Sequence, residues 1–163
     1  MLISALIKQL KATQAGDPWY GRSRTGFLDD LSAKDAAAHP VEDGHSIWEV
    51  VLHMTAWTRE VIHRLQGNHP GEPEDGDWPA VGRVTAERWR DAREALADAH
   101  GELIRLLERL PEERWNSPVG KQREPALGTG VTVGGMIIGL AQHDAYHIGQ
   151  LAVLRQALGK PPA

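Results

Sequence analysis

The sequence predicts an all-α protein, an antiparallel four-helix bundle. Four segments space their apolar residues three and four apart, as helices buried along one stripe do, and no segment reads as a strand pair or an internal repeat. The segments are separated by loops rich in proline, glycine and acids, and packing four amphipathic helices around one core is the economical solution.

The first helix is expected over about residues 2 to 15, with Leu2, Leu6, Ile7 and Leu10 facing inward and Gly16-Asp17-Pro18 as its stop. A loop follows to about residue 45, with a short turn at Ser32-Ala33-Lys34-Asp35. The second helix opens on Ser46-Ile47-Trp48-Glu49, a capping box in which the serine and the glutamate satisfy each other's backbone N–H groups. Its stripe is Ile47, Val50, Val51, Met54, Val61 and Leu65, and Gly67 suits the position after its end. Residues 68 to 82 form a long loop. The third helix spans about 85 to 110, with Trp89, Ala92, Leu96, Ala99, Leu103, Leu106 and Leu110 on its stripe, until Pro111 ends it. A second long loop, 111 to 131, precedes the fourth helix at about 133 to 158, capped by Thr132 and stopped at Gly159-Lys160-Pro161. Loops of this length exceed what a bundle needs, so they are expected to cover something at one end.

Composition narrows the function classes. At 163 residues the chain reads as one domain, residues 1–163, large enough to bury a core. A net charge of −4, with basic residues scattered rather than clustered, carries no nucleic-acid footprint. The amino-terminal stretch lacks a basic start and is broken by Lys8 and Lys11, so it reads as an amphipathic helix rather than a signal peptide. No run approaches the roughly 18 apolar residues of a membrane span, and a cytoplasmic location is the default. The chain contains no cysteine, which excludes disulfides, thiolate metal sites and a cysteine nucleophile. A metal would have to be held by His, Asp or Glu.

The fourth helix carries the functional signal. Its seam is Val133, Ile137, Leu140, Asp144, His147, Leu151, Leu154 and Leu158, so two polar groups occupy a buried stripe. Leaving such groups unpartnered costs roughly 1–3 kcal/mol each. His143 lies one turn before His147 on the same side, and two imidazoles at i and i+4 suit one metal ion. Of the six other histidines, His39 and His69 sit beside prolines in loops, His63 falls on the polar face of helix two, and His100 lies one step off the seam of helix three. His53, at the shoulder of the helix-two stripe, is the best third ligand, with His45 as the fallback. The competing reading is a hydrogen-bonded core network, with Asp144 holding His147 or an arginine from another helix. Asp144 itself is expected outside the ion's own shell, orienting an imidazole or pairing with a cation on helix one or three. Trp48, Trp57 and Trp89 read as packing residues, and Gln150 and Arg155 as the polar edge of helix four.

Ser46-Ile47-Trp48-Glu49 with Leu52-His53-Met54, and His143-Asp144-Ala145-Tyr146-His147-Ile148-Gly149-Gln150-Leu151, resemble the DinB/YfiT-like superfamily of metal-dependent hydrolases and thiol transferases. The resemblance covers essentially the whole chain, and the family's histidine triad matches His53, His143 and His147. It implies an up-down-down-up bundle, a divalent ion (usually zinc or nickel) and frequent homodimers. It also implies a small-molecule substrate attacked by water or by a low-molecular-weight thiol cosubstrate. No general base can be named from the residues. The alternative function is a non-enzymatic bundle stapled by its ion and holding a small ligand. Surplus apolar residues off the stripes, Ile62, Ile138 and Val153, fit the dimer expectation.

Overall fold

The computed structural model describes residues 2–120 and 122–160, with the side chain of Leu2 and the residue Pro161 outside what is described. Among the described residues there are six α-helices, α1 (Leu2–Ala15), α2 (Arg24–Leu28), α3 (Ala33–Ala37), α4 (Ile47–Leu65), α5 (Ala86–Arg109) and α6 (Val133–Ala157), besides two short 3-10 turns at Glu112–Asn116 and Pro125–Leu127. The long ones, α1, α4, α5 and α6, are the four expected. Their starts follow local chemistry: Ser46 and Glu49 close the capping box of α4, Thr85 accepts from Arg88 N at α5, and Thr132 accepts from Gly135 N at α6. Gly67 and Gly159, just past α4 and α6, take φ of 91° and 70°, conformations in which a side chain would be strained.

Helix directions follow from which ends meet. Lys11 pairs with Glu108 and Gln14 donates to Ala97 O, so α1 and α5 are antiparallel. Trp48 and Trp89, near the starts of α4 and α5, have ring centroids 5.3 Å apart; these two helices run parallel. The end of α6 (Leu151, Leu154) packs with the start of α4 (Ile47, Trp48) and its first half (Ile137, Leu140) with the end of α4 (Leu65), so α6 opposes α4 and the bundle is up-down-down-up. A parallel pair obliges the chain to return the length of a helix, roughly 28 Å for 19 residues, and this is why the 66–85 connection is long.

The core is split. One apolar cluster gathers Ile47, Trp48, Val51, Leu96, Leu151 and Leu154; the other gathers Leu10, Leu65, Leu103, Leu107, Ile137 and Leu140. Between them lies a buried polar layer of Arg24, His53, His100, Asp144 and His147. Isolated buried polar groups would be costly there, so the layer has to be explained by what it holds.

Several expectations are corrected. The 16–45 loop contains two short helices rather than one turn. Within the 111–131 loop, Pro118–Val119 and Val131–Thr132 pair as two short antiparallel strands, β1 and β2. Arg155 is no surface edge: it is 1% exposed and its guanidinium grips Asp30 at 2.6 and 3.1 Å and Phe27 O at 2.8 Å. Ile62 belongs to the core, while Ile138 and Val153 are exposed. Among the described residues no helix is long and apolar enough to cross a membrane.

Candidate metal centre

His53 reaches the polar layer from the second turn of α4, and His143 and His147 reach it from consecutive turns of α6. Their Nε2 atoms converge. His143 Nε2 lies 2.9 Å from His53 Nε2 and 3.0 Å from His147 Nε2, and the three candidate ligand atoms all fall within 4.8 Å of one another.

The far side of two rings decides their tautomers. His53 Nδ1 donates to Asp77 O at 2.6 Å, and His147 Nδ1 donates to Gln150 Oε1 at 2.6 Å. A carbonyl oxygen only accepts, so each Nδ1 carries the proton and each Nε2 presents a lone pair. Burial, with His147 and His53 close by, pushes His143 down to about 4; burial lowers His147 as well. Three imidazole nitrogens thus crowd one point with too few protons to link them, and one cation can satisfy them together. Neutral imidazoles oriented by outer carbonyls are the donor set of a divalent zinc-type ion. The residues fit the group.

Other side chains complete the surroundings. Trp78 is sandwiched between His45, 3.5 Å away at 5°, and His53, 4.0 Å away at 13°, so His45 stacks behind the tryptophan instead of joining the triad. Trp57 Nε1 donates to Asp77 Oδ1 at 2.7 Å. Trp57 is half-buried and lines a cavity of about 390 Å³ that reaches His143, so it is more than a packing residue. Gln150, expected on the polar edge, instead orients His147 and donates to Tyr146 Oη at 3.2 Å.

Asp144 points away from the triad, into the other half of the polar layer. Its Oδ2 lies 3.5 Å from Arg24 Nη1 and 4.0 Å from His100 Nε2. The cation partner comes from α2, inside the first loop, rather than from the first long helix. His100 is fully buried, and burial pushes it down to about 3; His63 is exposed, as its position predicts.

A family model described as the DinB superfamily matches residues 22–151. The chain belongs to the DinB superfamily. No curated protein matches it in sequence. Among solved structures it is similar to YfiT from Bacillus subtilis, described as a probable metal-dependent hydrolase with an unusual four-helix bundle topology. The identity is 14%, the TM-score 0.71, and the match covers 98% of this chain and 89% of that one. The likeness establishes the shared fold. In this superfamily member, Asp77, Trp78 and Gln150 were not found by sequence reasoning. Asp77 and Trp78 sit in a loop without periodicity, whereas Gln150 was signalled by its place three residues after His147, within the motif that carries the resemblance.

Proposed function

We propose that this DinB-superfamily protein is a metal-dependent enzyme in which His53, His143 and His147 hold one divalent ion, zinc or nickel. Water or a low-molecular-weight thiol serves as the nucleophile against a small electrophilic substrate. The observation that carries the reading is the pair of Nδ1–H groups tied to Asp77 O and Gln150 Oε1, which turns both Nε2 lone pairs on the point where His143 Nε2 also arrives. When bound, the ion supplies Lewis acidity that makes water or a thiol nucleophilic at neutral pH. The chain's own residues orient the ligands and shield one side: Trp78 covers His53, and Trp57 walls the adjoining cavity. With no cysteine in the chain, any thiol comes from a cosubstrate.

A homodimer is part of the same proposal. All of the charge of α6 is buried, in Asp144 and Arg155, whereas its solvent side presents Ile138, Gln142, Ala145, Gly149 and Val153. A 25-residue helix with no exposed charge is unusual on a free surface and suits an interface with a second copy.

The test is to prepare the metal-free chain, reload it with zinc or nickel, and assay ester hydrolysis and thiol consumption by several electrophiles. Activity should follow the ion and vanish in His143→Ala. A folded, metal-loaded protein inert with both nucleophiles overturns the enzymatic reading. The ion would also tie α4 to α6 where the core is interrupted. Complete unfolding on metal removal would therefore favour a structural staple.

A further inference from the structure

We infer that the cavity beside His143 is a subsite for a small, largely hydrocarbon anion, with Arg123 as the residue that holds its negative end; as a substrate site it rests on the metal reading above. The cavity, about 390 Å³, lies between α4, the 123–131 segment and the first half of α6. That volume falls in the range of small-molecule pockets. Its walls are mainly apolar, with Trp57, Val61, Met136 and Leu140 among them, and His143 stands at one end.

The charges on its lining have one sign. Among the described residues two guanidiniums, Arg64 and Arg123, line the cavity and no carboxylate does, in a chain whose net charge is −4. The two arginines have different tasks. Arg64 is buried and fully engaged: Nε donates to Glu60 at 2.7 Å, Nη1 to Leu127 O at 2.7 Å and Nη2 to Gly71 O at 3.0 Å. It fastens two loops to α4 and has its charge offset by Glu60. Arg123 is exposed, and among the described residues no hydrogen bond or ion pair engages it. Its backbone is nonetheless held. The buried Thr129 hydroxyl donates to Gln122 O at 2.7 Å and accepts from Glu124 N at 2.9 Å, clamping the residues on either side. A free guanidinium on a fixed stem at the edge of an apolar cavity is built for a carboxylate or similar anion.

Space for the ligand's body comes from Gly139. It lies one turn before His143 on the same side of α6, lines the cavity, and a Cβ built there meets no atom within 4 Å. A larger side chain would occupy the cavity without touching the histidines' outer partners. Since glycine within a helix is roughly 1 kcal/mol poorer than alanine, replacing it should not weaken the fold.

The test uses phenylbutyrate, its neutral amide and phenylbutylamine as probes, titrated by calorimetry against the metal-free and the zinc-loaded protein. Phenylbutyrate should bind about tenfold more tightly than the amide, as a charge-assisted hydrogen bond allows, and the amine more weakly still. Arg123→Gln should erase the preference for the acid, and Gly139→Leu should abolish binding of both acid and amide while zinc stoichiometry stays unchanged. Equal binding of the three probes overturns the inference, as does undiminished binding to Gly139→Leu. So does acid binding that survives Arg123→Gln but disappears with the metal, because the anion would then sit on the ion. If zinc fails to load, the metal reading falls; the metal-free titrations still decide the subsite.

Discussion

Arg24 and Asp144 meet in the interior, Nη1 to Oδ2 at 3.5 Å, both almost fully buried. The pair joins α2, an element of the first loop, to the middle of α6, one residue from His143. Burial pushes Asp144 up to about 6 while Arg24 acts against the rise. Removing one member strands the other's charge, whereas removing both does not. Asp144→Asn should therefore destabilise the protein by about 3 kcal/mol, and adding Arg24→Met should recover much of the loss. Denaturant unfolding of the single and double variants measures this, and additive losses would refute the coupling. Zinc stoichiometry should persist in Asp144→Asn, because the carboxylate faces away from the triad.

Alanine at His53, His143 or His147 should each remove the ion or leave it far below one equivalent per chain. His63→Ala should retain full occupancy. Elemental analysis after gel filtration reads the outcome, and full occupancy in all three triad variants would sink the assignment.

Gln150→Leu deletes the acceptor that keeps the proton on His147 Nδ1. Outer partners of this kind tune metal affinity by roughly 10–100-fold. A chelator competition should show a loss in that range without loss of fold, and unchanged affinity would mean that the bond does not orient the ring.

Acid should weaken the metal-free protein. His100, His143 and His147 have folded pKa values below the ordinary 6.5. As pH falls through 6.5 the unfolded chain therefore takes up protons that the folded chain refuses, and stability declines down to about pH 4. Asp144, raised to about 6, works the other way, since the folded state takes its proton first. The three imidazoles, joined by Asp30, Asp35 and Glu49, whose hydrogen bonds hold their carboxyls below the ordinary range, oppose Asp144, so the denaturant midpoint at pH 4.5 should lie below that at pH 7. An equal or higher midpoint would contradict the burial of neutral imidazoles.

Val153→Glu or Ile138→Glu should leave helicity intact and yield a monomer, and the unaltered chain should give twice the monomer mass by light scattering at micromolar concentration. A monomeric unaltered chain removes the dimer proposal.

Much of this was legible in the sequence, because a helix converts spacing into direction. The seam of α6 and the His143–His147 pair follow from a period of about 3.6 residues, the starts of α4 and α6 follow from the capping residues Ser46 and Thr132, and the preference for His53 over His45 rests on its place beside the helix-two stripe and on the family resemblance. The errors arose where residue type was given more weight than angle. Arg155 lies on the same arc of α6 as Leu151 and Ile148 and is accordingly buried, yet a guanidinium suggests surface. His100 lies one step off the seam, but α5 packs against α4 and α1 together, which widens its buried face. Asp77 and Trp78 were out of reach, since nothing periodic ties that loop to α4.

Thr129 fastens the segment that carries Arg123, while α4 and α6 alone carry the three imidazoles. The proposed ligands and most of the cavity wall therefore share the two helices, while the guanidinium proposed to hold the anion stands on a separate loop. If both proposals hold, replacing Arg123 and its neighbours in residues 122–128 would change the anion contact and leave His53, His143 and His147 in place.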